Sequence, residues 1–350
     1  MGRAEVTRLD DWRSQARLQA DERPRCKATT SSGRPCRNQA LPGSAYCRVH
    51  RPASEIVASG TPARAARVGP SEGSSETLER LEAFVRRRLA GDYRVDDFGY
   101  DEDLSREVLL HLARPVFERY FRGRALGVDR IPDAAAMVVA NHSGTIALDA
   151  VMLQFAIAAY HPRHRVLRNL AADLVFRLPF IGPLARKSGN VVACDDDAFE
   201  LLRRGELVGV FPEGYKGVGK GWRERYKLQR FGRGGFVVTA LKARVPIVPV
   251  AIIGAEEAYP MIANLKPLAH VLGLPYFPVT PTFPLLGPLG LLPLPSRWLI
   301  EVGEPIDLAA EHPPEAVDDP MLVFDLTDRV RDTIQQMIFK NLQLRRGAFF

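Results

Sequence analysis

A histidine and a carboxylate stand seven positions apart where an apolar stretch of the sequence ends. His142 follows the apolar run 135–140, and Asp149 is the only carboxylate between Asp133 and Asp173. An imidazole that is hydrogen-bonded to a carboxylate through one ring nitrogen keeps its other nitrogen ready to accept a proton. The pair therefore predicts a general base, although a histidine satisfied by a main-chain carbonyl fits the same residues.

A second motif is a strand-like run that ends in a turn. Residues 207–211 are followed by Pro212, Glu213 and Gly214, and residues 214–235 contain seven glycines, seven Lys or Arg residues and one acid. Glycines allow main-chain N–H groups to approach an anion closely, and the cations supply opposite charge. The run predicts a loop that binds an anionic or polar group, although a solvated basic loop has the same composition.

Two other chemistries are disfavoured by their motifs. The run from Gly214 to Gly221 resembles a nucleotide P-loop, but Gly221 stands where the Ser or Thr that binds magnesium is required. Ser143 adjoins His142, yet the sequence has no Gly-x-Ser-x-Gly motif, and neighbours in sequence rarely face each other at a turn. Neither an NTPase nor a serine hydrolase is expected.

Apolar runs alternate with helical patterns over the middle of the chain. Strands are predicted at 135–140, 189–194, 207–211 and 247–253, and helices at 148–160, 198–204 and 236–244. Strands that are apolar throughout and separated by helices indicate a mostly parallel sheet covered by helices on both faces. The predicted fold class is α/β, in which reactive residues gather just past the strand ends.

The segment 267–296 is apolar but interrupted. It has no Asp, Glu, Lys or Arg and contains eight prolines, which exclude a regular helix. It is either a loop buried over the core, or a surface that lies in a bilayer interface or lines an acyl-chain groove. Because no run of about 18 apolar residues is free of prolines, a simple membrane-spanning helix is not expected.

The N-terminal part differs from the rest in charge and in cysteine content. Residues 1–70 hold 13 Lys or Arg and 6 Asp or Glu, whereas residues 71–350 hold 35 of each. This excess of basic over acidic residues in 1–70 favours an anionic partner, either nucleic acid or a lipid surface. Four donors within 25 residues suit a tetrahedral zinc site, with Cys26, Cys36, Cys47 and His50 as ligands, although reduced cysteines without a metal fit the same residues. Such a zinc is structural, and no cofactor is expected for catalysis.

Taken in order, the two catalytic motifs resemble those of the glycerolipid acyltransferases, which act on lysophosphatidate and glycerol phosphate. The resemblance covers roughly residues 124–308. It rests on His142 with Asp149, on Phe211-Pro212-Glu213-Gly214, and on the apolar strand Val245-Pro246-Ile247-Val248-Pro249-Val250. The block 170–260 looks most like a bacterial branch grouped with monoacylglycerol-type acyltransferases.

The resemblance implies an O-acyltransferase of lipid metabolism, such as phospholipid biosynthesis. His142 would deprotonate an acceptor hydroxyl, which attacks the thioester carbonyl of acyl-CoA or acyl carrier protein, and Asp149 would orient the histidine. The expected substrate-binding residues belong to the two motifs and the basic loop: Ser143, Gly144, Thr145, Phe211, Pro212, Glu213, Gly214, Lys216 and Lys220.

The sequence departs from the family pattern in two ways that bear on the acceptor. Six residues separate His142 from Asp149 where four are usual, so the turn between them must be wider. Lys216 stands where the family has an arginine, and the arginine expected near 189–194 is absent. Phosphate recognition is thereby weakened. A neutral acceptor, such as a monoacylglycerol, a diacylglycerol or an unusual hydroxylated lipid, fits the sequence as well as lysophosphatidate does.

The expected organisation has four parts: a basic zinc module (1–51), a flexible linker (52–74), N-terminal helices (75–123) and an acyltransferase domain (124–350). Four cysteines and the lack of a signal sequence favour a cytoplasmic enzyme, peripheral at the inner face of the membrane. The alternative is a zinc-containing nucleic-acid-binding protein whose acyltransferase-like body is inactive.

Overall fold

The structure, a computed structural model, describes residues 25, 27, 28, 35, 45, 74–345 and 347–349. The chain divides into two units, Met1–Arg64 and Ala65–Phe350. Most of the first unit is outside the described residues. The predicted zinc ligands Cys26, Cys36, Cys47 and His50 lie outside the described residues. Residues 52–73 of the predicted linker also lie outside them.

A seven-stranded sheet forms the centre of the second unit. Its strands in chain order are β1 Arg124–Leu126, β2 Ala136–Ala140, β3 Leu167–Ala171, β4 Val191–Val192, β5 Leu207–Val210, β6 Ile247–Ile253 and β9 Leu299–Val302, while β7 Ala263–Asn264 and β8 Pro278–Val279 form a separate antiparallel pair. The spatial order is β1-β9-β6-β2-β5-β3-β4.

The five strands β6, β2, β5, β3 and β4 run parallel. Every residue of β2 and β6 is buried, as expected for parallel strands that are covered on both faces. Only β9 and its parallel neighbour β1 run the other way, because β9 pairs antiparallel to β6. The predicted α/β fold with a mostly parallel sheet is confirmed.

Helices cover both faces of this sheet. The helices in the described part of the chain are α1 Ser74–Ala90, α2 (residues 102–120, with two π-helical turns), α3 Leu148–Tyr160, α4 Asp173–Arg177, α5 Ile181–Lys187, α6 Asp195–Arg203, α7 Tyr215–Val218, α8 Gly235–Ala243, α9 Ala255–Ala258, α10 Lys266–Val271, α11 Leu308–Glu311 and α12 Pro320–Leu344. Buried apolar side chains of α6, α8 and α12 pack on one face, and those of α2 and α3 pack on the other.

Residues 267–296 depart from the sequence prediction. The short helix α10 forms there although no regular helix was expected, because Pro267 occupies its first turn, where a missing N–H costs little. Many of the large aliphatic side chains are exposed, so the segment is not a loop buried over the core. Among the described residues, no helix combines the length and the apolar character needed to cross a bilayer.

Asn141 connects the ends of the two central strands. Its side-chain amide donates a hydrogen bond to the Ile252 carbonyl at 2.9 Å, and its side-chain oxygen accepts one from the Ile252 N–H at 2.7 Å. The amide thus extends the β2–β6 ladder by one step beyond Ala140, in a buried position. This contact fixes the point at which the chain leaves β2.

We expect Asn141→Ala to lower the free energy of unfolding by about 2–4 kcal/mol, because it leaves a buried main-chain N–H and C=O without partners. Urea denaturation measures this loss. Asn264→Ala is a matched control, since among the described residues the Asn264 side chain accepts one hydrogen bond, from the Phe277 N–H. Equal losses for the two variants would contradict the role given to Asn141.

Candidate active site

The carboxyl ends of the parallel strands meet at one edge of the sheet, and chemistry-bearing side chains follow three of them. His142 lies just after β2, Glu213 just after β5, and Glu256 just after β6. Because β2 pairs with both β5 and β6, these three side chains come from adjacent strand ends. This edge is where ligands bind in open α/β sheets.

His142 and Asp149 are in direct contact. The His142 Nδ1 lies 2.9 Å from the Asp149 Oδ2. Asp149 is fully buried in the first turn of α3, whereas the His142 side chain is 13% exposed. The Asp149 carboxylate also accepts hydrogen bonds from the main-chain N–H groups of Ser143 at 2.7 Å and Ala150 at 2.9 Å. The wider turn therefore still brings the pair within bonding distance.

Glu213 holds the main chain of the same histidine. Its Oε1 accepts a hydrogen bond from the His142 N–H at 2.9 Å, and its Oε2 accepts one from the Gln229 N–H at 2.7 Å. The Glu213 side chain is completely buried. It therefore connects the β5 turn to the His142 turn and to the loop that follows, and its two oxygens are occupied by the protein itself.

Lys220 lies between two buried carboxylates. Its Nζ is 3.2 Å from the Glu213 Oε2 and 3.2 Å from the Glu256 Oε1, and only 4% of the side chain is exposed. Burial would lower the pKa of the Lys220 ammonium, but the two carboxylates outweigh it and raise the pKa. Lys220, which was predicted to bind substrate, is thus buried and paired with the carboxylates of Glu213 and Glu256.

The buried position of Glu256 changes the pKa of its carboxyl. Burial raises the pKa of the Glu256 carboxyl to about 7, and the adjacent Glu257 acts in the same direction. The Lys220 cation and a hydrogen bond from the Tyr226 N–H oppose the increase without cancelling it. The Lys220 cation therefore does not keep the Glu256 carboxyl fully ionised near neutral pH.

The turn after His142 is closely packed. Gly144 has a φ of 92°, and a Cβ there would lie 2.7 Å from the Ala255 carbonyl oxygen, so a side chain does not fit. The Thr145 hydroxyl donates to the Tyr259 carbonyl at 3.1 Å, and the Thr145 carbonyl accepts a hydrogen bond from the Tyr276 hydroxyl. These contacts hold the turn against the segments that follow β6.

The other predicted substrate-binding residues occupy different environments. The Phe211 ring packs against the His142 ring with centroids 4.7 Å apart. The Ser143 hydroxyl is buried without a hydrogen-bond partner in the described part of the chain. Pro212 is half-buried, and Gly214 is exposed with a φ of 52°. Lys216 is exposed on α7 and forms no ion pair with a described residue.

A small pocket lies between the His142 turn and the loop that carries Lys220. Its lining includes Gly144 and Thr145 from the His142 turn, and Trp222 and Arg225 from that loop. The remaining lining residues are Gly217, Lys220, Gly221, Glu256, Tyr259 and Met261. Gly217 is required there, because a Cβ at this position would lie 2.6 Å from the His142 carbonyl oxygen.

Sequence reasoning missed Asn141, Gln229 and Glu256. Glu256 had a usable signal, because Glu256 and Glu257 follow the apolar strand β6 after a single turn containing Gly254. Acids at that point reach the edge where His142 lies. Gln229 contributes only its main-chain N–H to Glu213, so no side-chain pattern could identify it.

A second buried network lies next to the first. The Tyr226 hydroxyl donates a hydrogen bond to the Glu257 carboxylate, and the Arg345 Nη1 lies 2.8 Å from the Glu257 Oε1. Burial raises the pKa of the Tyr226 hydroxyl well above its usual value.

Among the described residues, no group of three His, Cys, Asp or Glu side chains is arranged to hold a metal ion.

Comparison with known proteins identifies the class. Residues 124–253, which contain both motifs, match the family described as Acyltransferase. A protein of Mycobacterium tuberculosis, itself uncharacterized, is 52% identical over 293 residues, which is 82% of each chain. The chain belongs to the acyltransferase family.

More distant proteins are also similar. A Mus musculus protein named DGAT1/2-independent enzyme synthesizing storage lipids is 22% identical over 218 residues, which is 62% of this chain and 60% of that protein. The crystal structure of the 1-acyl-sn-glycerophosphate (LPA) acyltransferase PlsC from Thermotoga maritima is 18% identical, with a TM-score of 0.44 over 78% of this chain and 98% of that chain.

The Glu256 carboxyl gives the stability a defined pH dependence. Its pKa of about 7 in the folded protein lies above the ordinary value of 4.5, so between these pH values the folded state holds a proton that the unfolded state has lost. This contribution to the free energy of unfolding is complete below the ordinary pKa and is lost as the pH rises through about 7.

We expect the stability of the wild type, relative to Glu256→Gln, to fall by roughly 1–3 kcal/mol between about pH 5 and about pH 8, because glutamine cannot titrate. Urea unfolding at several pH values measures the difference. Glu315→Gln, at an exposed carboxyl, is the control and should reproduce the wild-type profile. A pH-independent difference between wild type and Glu256→Gln would refute the assignment.

Proposed function

We propose that this protein transfers a fatty acyl group from acyl-CoA or acyl carrier protein to a hydroxyl group of a glycerolipid. The observation that carries the proposal is the 2.9 Å contact between the His142 Nδ1 and the buried Asp149 carboxylate. A carboxylate that faces Nδ1 favours the tautomer with the proton on Nδ1, which leaves Nε2 as the proton acceptor. The partial exposure of His142 leaves its ring accessible to a substrate.

The chemical steps follow from this arrangement. Nε2 takes the proton of the acceptor hydroxyl while its oxygen attacks the thioester carbonyl, and the Asp149 carboxylate stabilises the imidazolium. Collapse of the tetrahedral intermediate breaks the carbon–sulfur bond and forms the ester. The imidazolium then returns its proton to the departing thiolate, which leaves as a thiol.

Two observations favour a neutral acceptor over lysophosphatidate. Lys220 is already paired with two carboxylates, so it adds no net positive charge for a phosphate. The mammalian relatives carry a name that refers to storage lipids. We therefore propose a monoacylglycerol or diacylglycerol as the acceptor, with Glu213 organising the site through the His142 main chain.

We further propose that the enzyme works in the cytoplasm, peripheral at the inner face of the membrane, and that Cys26, Cys36, Cys47 and His50 bind one structural zinc ion. The membrane location is supported by the apolar side chains exposed at the edge of the sheet that carries His142. The zinc proposal is supported by the donor types and their spacing.

We expect His142→Ala to lower kcat by roughly 10²–10⁴-fold, because it removes the general base. Asp149→Asn should cause a loss of roughly 10²-fold or more, because an amide does not fix the required tautomer. Formation of ester from oleoyl-CoA and diacylglycerol, followed by mass spectrometry, measures both. His164→Ala, at an exposed histidine that contacts the Ala158 carbonyl, should keep full activity. Unchanged turnover in the His142 variant would exclude the mechanism.

Removal of residues 1–70 tests the separate N-terminal module. We expect the shortened protein to retain its unfolding temperature and ester formation, and to lose one bound zinc per chain, as measured by elemental analysis. Cys47→Ser in the full chain should also lose the metal, because it removes one of four ligands. A gel shift by the full chain that depends on residues 1–70, without any acyl transfer, would instead favour the nucleic-acid-binding alternative.

A further inference from the structure

The segment that follows β6 exposes an unusual number of large aliphatic side chains. We call residues 262–292 the apolar segment. Ten of its aliphatic side chains are exposed: Ile262, Leu265, Leu268, Val271, Leu272, Leu285, Leu286, Leu289, Leu291 and Leu292. Exposed apolar patches of this kind mark interaction surfaces in proteins.

The main chain of the apolar segment is fixed to the body of the protein. The Tyr259 hydroxyl donates to the Leu291 carbonyl at 2.9 Å, and the Leu294 N–H, just after the segment, donates to the Ala258 carbonyl at 2.8 Å. Within the apolar segment, the Phe277 and Phe283 rings are in contact, with centroids 5.5 Å apart. The aliphatic side chains therefore project from an ordered framework.

The apolar segment is continuous with the candidate active site. The Tyr276 hydroxyl donates a hydrogen bond to the Thr145 carbonyl, three residues after His142. The ring of the same tyrosine lies next to Gly219 in the loop that precedes Lys220. The exposed aliphatic side chains thus belong to the element that covers the His142 turn.

A second exposed apolar region lies at the same edge of the sheet. Helices α4 and α5 follow the carboxyl end of β3, which runs parallel to β2 with β5 between them. Phe180, between these helices, is 90% exposed, and Ile181 and Leu184 are exposed beside it. Because β6 flanks β2 on the other side, the end of β2 that carries His142 lies between the two regions.

The charges around these regions identify the partner. The apolar segment contains no acidic residue, and the exposed cations Lys266 and Arg297 lie within it and just beyond its end. The α4–α5 region carries the exposed cations Arg186 and Lys187. Apolar side chains that enter the acyl boundary, surrounded by cations at headgroup level, are typical of proteins that bind the surface of an anionic bilayer.

We propose that the apolar segment is the membrane-docking surface of this protein, and that it binds an anionic phospholipid leaflet so that the His142 edge of the sheet faces the bilayer. The choice of this partner rests on the proposed lipid acyltransferase function. A lipid hydroxyl then reaches His142 from the leaflet, without crossing bulk water.

The test is sedimentation of the full-length protein with vesicles made of equal parts of phosphatidylcholine and phosphatidylglycerol. We expect the double variant Leu285→Glu with Leu289→Glu to bind at least roughly tenfold more weakly, because it replaces two apolar contacts with charges. Met321→Glu is the matched control, since Met321 on α12 is 69% exposed, as Leu289 is, and should bind as wild type. Unchanged unfolding temperatures establish that all variants fold.

Several results would overturn the proposal. Wild-type binding by the double variant would do so, as would equal losses in the double variant and in Met321→Glu. A wild type that forms a dimer through this surface, and does not sediment with vesicles, would show a second copy as the occupant. Ester formation by the wild type on a short-chain, water-soluble diacylglycerol distinguishes the two proposals: activity without vesicle binding refutes docking alone, and vesicle binding without activity refutes the enzymatic proposal alone.

Discussion

The hydrogen bond from the His142 N–H to the buried Glu213 carboxylate is the contact on which the site depends. It connects two adjacent strand ends, and its acceptor has no exposed surface through which water could compete. The Asp149 carboxylate fixes the ring of the same residue from the other side. Main chain and side chain of one histidine are therefore each held by a separate buried acid, so the ring orientation is set before any substrate binds.

This arrangement requires charge to be buried, and the surrounding residues determine how that is tolerated. Lys220 partly neutralises Glu213 and Glu256, and main-chain N–H groups satisfy carboxylate oxygens of both. Burial, with a smaller contribution from the negative charge of Glu257, raises the pKa of the Glu256 carboxyl. The basic loop after Glu213 thus has a structural function in addition to any contact with substrate.

The sequence predicted the parts of the fold that have a simple periodicity. The bounds of β6 and α3 agree with expectation, because each is a long apolar element with clear ends. The strands β1 and β9 were not predicted, since they are short and contain Arg124 and Glu301. The long helix α12 was also missed, although Asp319 before Pro320 is a usable start signal.

Within the site, residues that belong to a motif were predictable and residues that meet through strand order were not. The contact between His142 and Asp149 is local, and it was suggested because Asp149 is the only carboxylate between Asp133 and Asp173. The pairing of Lys220 with Glu256 depends on β6 lying next to β2, which no single segment of sequence encodes. The same holds for the contact between Tyr276 and Thr145.

The prolines of the segment 267–296 have a thermodynamic consequence. Each proline restricts its own φ angle and the residue before it, so the chain has fewer conformations available even when it is unbound. Binding through such a segment loses little backbone entropy, and more of the interaction energy contributes to affinity. Shape and rigidity are therefore encoded together in a stretch that contains no charged residue.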